Sequence, residues 1–475
     1  MSRPGVSIAI AGALAVLCSG CGGGPEPAPA PVIAGNGHNV VLLTIDTLRA
    51  DHLGSYGYGR PTSPAIDALA ARGALFERSF THWPKTRGSF VCMLTGRYPS
   101  VNGYSKEHPT LLDHNPTLAS VLRDAGYLTV AAVDNPNVAA SLGYSKGFER
   151  YRETWEEADL TTEMDRTRAI TQAAREVFAE SDPQRPFLLW LHYVNPHTPY
   201  TPPAPYDSAF VDADTRAGES LPLVDGLHGG IPKQWAHEGE DRLAYYIAQY
   251  DGEVATVDRE VGEVLRALTA AGLDDDTVVV LTSDHGESLG EHGYFFDHGE
   301  NLFDPSLRVP LIVRVPGGSP GVRSGSLTST LDIVPTILDA VKVSYPADLG
   351  GRSLLGEVQD GSLPGPRARL FAQNDRNLSA AWGTRYKVVA TPTDDGAAHA
   401  LYDREKDPAE ARDVAQARPD DFQVEREALG DYLDVREREW ISTRRHLQGH
   451  DAVAQVSAEA CEKLKALGYA VDGCG

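Results

Sequence analysis

The feature that most constrains the fold is a set of four continuous apolar runs rich in β-branched residues. Runs of this kind are typical of strands buried on both faces of a parallel sheet. They are Asn39–Ile45, Leu128–Val133, Phe187–His192 and Thr277–Thr282. The helical patterns are Pro64–Arg72, Pro116–Ala125, Asp165–Glu180 and Arg242–Ala271, the last with Gly252 and Gly262 as candidate interruptions. Strands that alternate with helices predict a doubly wound α/β fold.

Side chains that bind metals or move protons follow three of these runs. Asp46 directly follows the first run, and His197 stands a few residues beyond the third. Asp284 and His285 follow the fourth run after one serine. Each alone is typical of a helix cap or a turn. In doubly wound folds, however, ligands bind beyond the carboxyl ends of the strands, so together these side chains predict a site at one edge of the sheet.

The pattern changes in the last quarter of the chain. With 475 residues, the protein is long enough for one large domain and a smaller one. After about residue 365, short strand-like pieces alternate with turn signals, and a helical pattern follows from about Asp421 to Arg438. We therefore predict a catalytic domain over residues 39–365 and a smaller antiparallel α+β subdomain over residues 366–475.

The charge composition restricts the partners. The net charge is −23, from 43 Lys and Arg against 66 Asp and Glu. An acidic surface argues against nucleic acid or an anionic membrane as a partner held by long-range charge. An anionic substrate would accordingly need a locally positive site, such as a bound metal ion.

The N-terminus has the pattern of an export signal over residues 1–21. Val6–Leu17 is apolar but too short to span a bilayer as a stable helix. Small residues precede Cys21, as in a bacterial lipoprotein processing site, so we expect lipidation at Cys21; an ordinary secretory signal cleaved nearby is the alternative. Residues 22–38 are predicted to be a Pro- and Gly-rich tether. The protein is thus expected in the bacterial cell envelope, in the periplasm or at the cell surface, with a lipid anchor as its only membrane contact.

Three cysteines lie beyond the export segment. Cys92 stands in an apolar run and is expected to be a packed core thiol. Cys461 and Cys474 flank a short C-terminal segment and would be able to pair in an oxidising compartment, so the paired and the unpaired states both stay open.

Several motifs occur in an order more specific than any one of them alone. They are Asp46–Gly54, TRGSFVCMLTGR at Thr86–Arg97, NPHTPY at Asn195–Tyr200, SDHGE at Ser283–Glu287, His298-Gly299 and LYDREKDPAE at Leu401–Glu410. Together they resemble the sulfatase family of the alkaline phosphatase superfamily over about residues 39–470. The resemblance implies an alkaline phosphatase-like α/β/α sandwich with a smaller C-terminal α+β domain. It also implies that the protein is an enzyme that acts on sulfate or phosphate esters.

The resemblance assigns Thr86 to the position of the nucleophile, nine residues before Thr95 of the TG element. In sulfatases proper this residue is a Cys or Ser that is converted to formylglycine. The branched side chain of Thr cannot give that aldehyde, so Thr86 would act as a plain hydroxyl, which is similar to the phosphodiesterase and phosphoglycerol-transferase branches. Such a hydroxyl is a weak nucleophile and needs a metal or a base.

The same resemblance implies one divalent metal ion. Its expected ligands are Asp46, Thr86, Asp284 and His285. Two carboxylates and one imidazole favour Zn²⁺ or Mn²⁺, while Ca²⁺, which prefers oxygen ligands, is the alternative. Sulfatases proper usually carry Asn at position 285, and they usually have a second Asp where Thr47 stands here.

Proton-transfer and anion-binding roles are also implied. His197 matches the histidine of the family's PHxP element and would donate a proton to the leaving oxygen. His298 matches a lysine that holds the anion, with a surface loop histidine as the alternative. Lys85, Arg87 and Asn135 are expected to contact the substrate, although Asn135 replaces a family lysine. Solvated loop charges are the alternative for Lys85 and Arg87.

The chain departs from the family pattern at four further positions near the site. Gly88 and Phe90 replace a Pro and an Arg of the nucleophile motif, and Asn135 and Asn137 replace a Lys and a His. We therefore predict a metal-dependent hydrolase or transferase of phosphate esters, including diesters, that uses Thr86 without formylglycine. The alternatives are a true sulfatase of sulfated glycans or aryl sulfates, and a non-catalytic lipoprotein that binds glycans or lipids.

Overall fold

A computed structural model describes residues 35–217, 220–345, 347–362, 365, 367–447 and 457–467. The predicted export signal with Cys21, most of the tether, and Cys474 lie outside the described residues. None of the helices in the described ranges has the length and apolarity needed to cross a membrane.

The strands and helices of the described residues are as follows. The strands are β1 (Asn39–Ile45), β2 (Ala74–Phe80), β3 (Leu128–Val133), β4 (Arg150–Glu153), β5 (Phe187–Tyr193), β6 (Leu223–Val224), β7 (Ile231–Pro232), β8 (Thr277–Ser283), β9 (Ser288–Leu289), β10 (Phe295–Asp297), β11 (Leu311–Arg314), β12 (Val322–Ser329), β13 (Leu370–Gln373), β14 (Ser379–Trp382), β15 (Tyr386–Thr393) and β16 (Gly396–Asp403). The helices are α1 (Pro64–Arg72), α2 (Thr86–Thr95), α3 (Pro99–Asn102), α4 (Leu118–Asp124), α5 (Glu163–Ala179), α6 (Tyr206–Ala209), α7 (Leu243–Ala270), α8 (Asp304–Leu307), α9 (Ile333–Ala340), α10 (Leu355–Asp360), α11 (Pro419–Leu447) and α12 (Ala458–Ala466).

The four apolar runs form β1, β3, β5 and β8, so the strand predictions at these positions are confirmed. The long helical pattern forms α7, which continues through Gly252 and Gly262; the expected interruption is wrong. Gly252 instead allows a close approach, since a Cβ atom there would lie 2.6 Å from the carbonyl oxygen of Tyr206.

Eight strands form the central sheet in the order β12-β2-β11-β8-β1-β5-β3-β4. Neighbouring strands are parallel, except that β11 is antiparallel to both β2 and β8. The three strands that precede the predicted site residues, β8, β1 and β5, are adjacent and parallel. The predicted doubly wound α/β fold is confirmed, with one antiparallel strand that the sequence pattern did not indicate.

Helices cover both faces of this sheet. Val40 and Leu42 of β1 pack in one apolar core with Phe90 of α2. Val41 and Leu43 point to the other face and pack in a second core with Val257 of α7. A strand buried on both faces has no polar alternation, which explains the continuous apolar run in the sequence.

A smaller antiparallel sheet follows in the order β13-β14-β15-β16. Leu429 and Tyr432 of α11 pack on its Val388 and Leu401. This is the smaller domain with antiparallel strands that the sequence predicts; the exact boundary after residue 365 stays a prediction.

The described cysteines beyond the export segment are in two different states. Cys92 is a buried free thiol, as predicted. Cys461 on α12 is disulfide-bonded.

Candidate active site

Two acidic side chains lie side by side at the carboxyl edge of the sheet. β1 and β8 are neighbours in register, with Ile45 opposite Ser283. The residue that follows each strand therefore reaches the same point, and these residues are Asp46 and Asp284. Both side chains are fully buried.

His285 directs a lone pair at these carboxylates. Its Nδ1 lies 3.0 Å from the carbonyl oxygen of Gly286. Because a carbonyl oxygen only accepts hydrogen bonds, the proton of the neutral ring is assigned to Nδ1, and Nε2 carries the lone pair. Nε2 lies 3.2 Å from Asp284 Oδ2 and 3.7 Å from Asp46 Oδ1. Three acceptor atoms thus face one another in a buried space.

This arrangement fits a divalent cation. One ligand atom from each of Asp46, Asp284 and His285 lies within 4.8 Å of the other two. Asp46 Oδ1 and Asp284 Oδ2 are buried and accept no hydrogen bond from the described residues. Buried acceptors that face one another are unfavourable unless a cation lies between them. Two carboxylates and one imidazole are donors that Zn²⁺ and Mn²⁺ accept.

Asn135 forms a hydrogen bond with Asp46, and His192 lies nearby. Asn135 Nδ2 donates a hydrogen bond to Asp46 Oδ2. His192 Nε2 lies 3.9 Å from the same oxygen, and its Nδ1 lies 3.1 Å from Thr44 Oγ1. The contact of Asn135 in the structure is thus with an expected metal ligand. Sequence reasoning missed His192, for which the available signal was a polar residue near the end of an apolar strand.

The residue after Asp46 has an uncommon backbone conformation. Thr47 has φ of 54°, in the left-handed region that β-branched residues rarely adopt. Its amide nitrogen lies 3.4 Å from Asp284 Oδ1. Such strain persists where the surrounding structure imposes it, which is common at functional sites. Thr47 therefore contacts the cluster through its backbone amide.

Thr86 is the first residue of α2 and is buried. Its Oγ1 lies 3.2 Å from His285 Nε2. Ser89 Oγ donates a hydrogen bond of 2.6 Å to the carbonyl oxygen of Asp284, which ties the first turn of α2 to the end of β8. The N-terminus of a helix carries partial positive charge, so this position favours an anion near Thr86.

Packing explains the two departures from the family pattern within α2. A Cβ atom on Gly88 would lie 2.3 Å from Trp83 Cδ1, so the indole ring occupies the space of a side chain. Phe90 is fully buried against Trp190 and His192, with ring centroids 5.2 and 4.7 Å away. Both positions serve the packing of α2 on the sheet.

The two basic side chains expected near the substrate flank Thr86 and are partly exposed. Lys85 Nζ lies 3.5 Å from Asp375 Oδ2, and its aliphatic part packs against Gly299. Arg87 Nε donates a hydrogen bond of 2.9 Å to Asn137 Oδ1. The structure therefore brings Lys85 next to the His298-Gly299 segment and joins Arg87 to the loop that carries Asn135.

The structure also brings His197 and His298 to the cluster. The ring centroid of His298 lies 4.0 Å from that of His285 and 5.2 Å from that of His197. His197 Nδ1 lies 2.7 Å from the carbonyl oxygen of Thr198, and His298 Nδ1 lies 3.0 Å from Glu287 Oε1. The Nδ1 of His197 thus donates, because a carbonyl oxygen only accepts, and its Nε2 carries the lone pair of the neutral ring. Burial raises the pKa of Glu287, the partner of His298, well above its usual range. Glu287 had no role in the sequence-based prediction.

Burial shifts every ionisable group of the cluster towards its neutral form. It raises the pKa of Asp46 well above its usual range, with a further contribution from the charge of Asp284. It raises the pKa of Asp284 to about 6. Burial also lowers the pKa values of His285 and His197 to about 3, and that of His298 well below its usual range. A bound cation would favour the charged carboxylates, because it interacts only with the ionised form.

Sulfatases are among the known proteins that this chain resembles in sequence. The family model described as "Sulfatase" matches residues 38–343, and the model "N-sulphoglucosamine sulphohydrolase, C-terminal" matches residues 290–431. Delta 4,5-hexuronate-2-O-sulfatase of Bacteroides thetaiotaomicron is 24% identical over 417 residues, which cover 80% of this chain and 84% of that protein. Choline-sulfatase of Rhizobium meliloti is 24% identical over 453 residues, which cover 85% of this chain and 86% of that protein.

The fold has a counterpart among solved structures. The phosphonate monoester hydrolase of Agrobacterium radiobacter matches with a TM-score of 0.69 at 24% identity, over 85% of this chain and 96% of that chain. The fold and the Asp–Asp–His cluster thus define an alkaline phosphatase-like α/β hydrolase. The chain belongs to the sulfatase family, and it is a hydrolase of sulfate or phosphate esters.

Proposed function

We propose that the protein hydrolyses phosphate esters, including diesters, with Thr86 as the nucleophile and one divalent metal ion. The proposed metal ligands are Asp46, Thr86, Asp284 and His285. The observation that carries the proposal is the 3.2 Å between Thr86 Oγ1 and His285 Nε2 within the buried carboxylate cluster. When bound, Zn²⁺ or Mn²⁺, with Ca²⁺ as the alternative, would lower the pKa of the Thr86 hydroxyl and offset negative charge on the ester.

The reaction proceeds in two displacements at phosphorus. Thr86 Oγ forms a bond to phosphorus while the bond to the leaving oxygen breaks, and the hydroxyl proton passes to solvent. The leaving oxygen takes a proton from His197. Water then attacks the phosphothreonine, which restores the Thr86 hydroxyl and releases the phosphate product.

The protonation of His197 and His298 depends on the substrate. Burial lowers the pKa of both rings, so both are neutral in the ligand-free site. The negative charge of a bound ester favours their imidazolium forms, since an opposite charge nearby stabilises the charged state. Glu287 Oε1 lies 3.0 Å from His298 Nδ1 and fixes the orientation of the ring.

Phosphate is preferred over sulfate for a chemical reason. A sulfated formylglycine hydrate can expel sulfate by elimination as the aldehyde re-forms. A sulfated threonine has no such route and would have to be hydrolysed by direct attack at sulfur. The same Thr86 hydroxyl in the same cluster is therefore better suited to phosphate transfer.

The substrate class is tested with matched aryl esters. Metal-supplemented protein is assayed on p-nitrophenyl phosphate, bis(p-nitrophenyl) phosphate and p-nitrophenyl sulfate. We expect turnover of a phosphate ester that falls by at least about 10³-fold in Thr86→Ala, while Thr86→Ser, which keeps a hydroxyl, stays active. Unchanged turnover in Thr86→Ala would overturn the proposal, and a strong preference for the sulfate would favour a true sulfatase.

Two further functions compete with this one. The sulfatase alternative, with sulfated glycans or aryl sulfates as substrates, is favoured by the named activities of the two similar enzymes described above. The non-catalytic alternative, a lipoprotein that binds glycans or lipids, is favoured by Asn135 and Asn137 at positions of catalytic family side chains. Metal analysis distinguishes the non-catalytic alternative from the two enzymes. A degenerate site would hold less than one metal ion per chain even after metal supplementation.

We propose, in addition, that the protein is exported and anchored through a lipid on Cys21. The apolar segment and the small residues before Cys21 support this proposal. A tether over residues 22–38 would then hold the folded part close to the bacterial envelope without inserting it.

A further inference from the structure

A second polar cavity lies between the central sheet and the C-terminal antiparallel sheet. Its volume is about 540 Å³, which is within the range of small-molecule binding sites. Arg78 and Phe80 of β2, Arg308 after α8, and Arg404 and Glu405 after β16 contribute to its wall. Among the described residues, no side chain assigned above to metal binding or proton transfer lines this cavity.

The carboxylates in the wall are already paired with cations. The pairs and their nitrogen–oxygen distances are Asp51 and Glu291 with Arg49 at 2.8 and 2.6 Å, Asp304 with Arg404 at 2.6 Å, and Glu405 with Arg385 at 3.6 Å. Four arginines and four carboxylates line the cavity, and none of these carboxylates forms an ion pair with Arg78 or Arg308.

Two arginines of the wall have no carboxylate partner among the described residues. Arg78 Nη2 donates to the carbonyl oxygen of Thr384 at 2.7 Å, and Arg308 Nη2 donates to the carbonyl oxygen of Glu77 at 2.9 Å. Each guanidinium has five N–H donors, so several donors of each remain for a ligand. Carbonyl oxygens satisfy single donors but do not neutralise the two charges.

Arg404 adds a third guanidinium. Its side chain is 91% buried, and its Nη1 has no hydrogen-bond partner among the described residues. Arg404 Cζ lies 4.8 Å from the centroid of the Phe80 ring, which holds the guanidinium by a cation–π contact. Burial lowers the pKa of Arg78, the charges of Arg404 and Arg308 lower it further, and the charge of Asp304 opposes them, so Arg404 and Arg308 each lie close enough to Arg78 to repel it.

We propose that this cavity binds an oxyanion, a sulfate, phosphate or carboxylate group, through Arg78, Arg308 and Arg404. Guanidinium groups match the geometry of such groups with paired hydrogen bonds. A bound anion would relieve the repulsion that Arg404 and Arg308 exert on Arg78. The inference does not depend on Thr86 or on the identity of the metal.

A backbone hydrogen bond connects the wall of the cavity to the segment that carries His285. Pro305 lines the cavity, and the next residue, Ser306, accepts a 3.0 Å hydrogen bond at its carbonyl oxygen from the amide of Gly286. Gly286 directly follows His285. The oxyanion would come either from a second acidic group of the substrate or from a free inorganic ion, and the chemistry of recognition is the same.

The test is sulfate binding by the full, metal-loaded protein. Hydrogen–deuterium exchange of peptides covering residues 304–309 and 402–409 is followed across a sulfate titration. We expect saturable protection that weakens by at least about tenfold in the double variant Arg78→Gln/Arg308→Gln. The matched control, Arg150→Gln/Arg175→Gln, removes the same charge from two exposed surface pairs and should bind as the wild type does.

Unchanged sulfate affinity in the double variant, or no saturable protection in the wild type, would overturn the proposal. If the double variant does not fold, the single variants Arg78→Gln and Arg308→Gln are tested instead. Each should lose sulfate affinity by a smaller factor, and unchanged affinity in both would overturn the proposal. Steady-state kinetics of the double variant distinguish the two sources of the oxyanion, a second acidic group of the substrate and a free inorganic ion. A raised KM only for esters with a second acidic group indicates a substrate subsite, whereas unchanged KM for all esters indicates a free oxyanion.

Discussion

Thr86 Oγ1 and His285 Nε2 lie 3.2 Å apart, although the two residues are 199 positions apart in the chain. His285 Nδ1 is engaged by the carbonyl oxygen of Gly286, so the nitrogen near Thr86 is the one with the lone pair. The Thr86 hydroxyl therefore lies beside the imidazole nitrogen that faces the carboxylates of Asp46 and Asp284. If His285 is a metal ligand as proposed, the identity of residue 285 should influence the choice of metal.

The variant His285→Asn should change the metal preference. An amide oxygen in place of an imidazole nitrogen gives an all-oxygen ligand set, which favours Ca²⁺ over Zn²⁺ or Mn²⁺. We expect Zn²⁺ affinity to fall by at least about tenfold, and competition with a chelator would measure it. The control His228→Asn changes a mostly exposed histidine outside the cluster. Equal Zn²⁺ affinity in both variants would exclude His285 as a ligand.

The metal-free protein should lose stability as pH rises, through Asp284. The pKa of this carboxyl is raised from 3.8 to about 6 in the folded protein by burial. Between these values the folded state holds a proton that the unfolded state has lost, so the free energy of unfolding falls with increasing pH. The contribution of the protonated Asp284 carboxyl to the free energy of unfolding is complete below pH 3.8 and is lost as the pH rises through about 6.

Asp284→Asn isolates this effect in thermal denaturation. Without metal, we expect the variant to have a higher Tm than the wild type at pH 7 but no advantage at pH 4. With metal the order at pH 7 should reverse, because the wild-type carboxylate then binds the cation. Asp275→Asn, at an exposed carboxyl, serves as the control. A metal-free variant that is less stable than the wild type at pH 7 would contradict the prediction.

Local patterns explain which parts of the fold could be predicted. β1, β5 and β8 are long, apolar and buried on both faces, so their sequences clearly indicate buried strands. β11 has only four residues, and β12 has a polar sequence whose pairing with β2 shifts register between Ser324 and Leu327. A strand as short as β11, or as irregular as the edge strand β12, carries too little periodicity to be recognised.

The candidate site was predictable only where residues follow strands or match motifs. Asp46, Asp284 and His285 directly follow recognisable strands. His192 lies inside a strand, and its contact with Asp46 depends on the neighbouring β1. The cavity arginines come from three distant segments, and no local pattern indicates that they meet.

Replacement of Cys21 tests the anchor. We expect the wild-type protein, expressed in a bacterial host, to partition into the detergent phase of a Triton X-114 extraction, because an acyl chain adds apolar surface. Cys21→Ser should move it to the aqueous phase with unchanged esterase activity. Cys92→Ser is the control for loss of a thiol. Aqueous partition of the wild type would favour an ordinary secretory signal.

Gly88→Ala should destabilise the protein, although alanine favours helices. The added Cβ atom would lie 2.3 Å from Trp83, whose indole ring is buried and cannot move freely. Overpacking of this kind costs about 1–3 kcal/mol, more than the helix propensity gained. Chemical denaturation would measure the difference. Gly59→Ala, with no atom within 4 Å of the new Cβ, should be nearly neutral.

Asn135→Ala should weaken metal binding without removing a ligand. Asn135 Oδ1 accepts a 2.9 Å hydrogen bond from the amide of Asn137, which orients the side chain so that Nδ2 donates to Asp46 Oδ2. Side chains that orient a ligand typically change metal affinity by about 10–100-fold when they are removed. A chelator competition would measure this loss.

The matched control for Asn135 is Asn137→Ala, which removes the hydrogen bond to Arg87 in the same loop. Loss of loop stability alone would lower the Tm of both variants and leave their metal affinities equal. A lower affinity only in Asn135→Ala would instead show that the amide acts through Asp46. Asn135 then serves as a positioning residue, which accounts for an uncharged side chain where the family has a lysine.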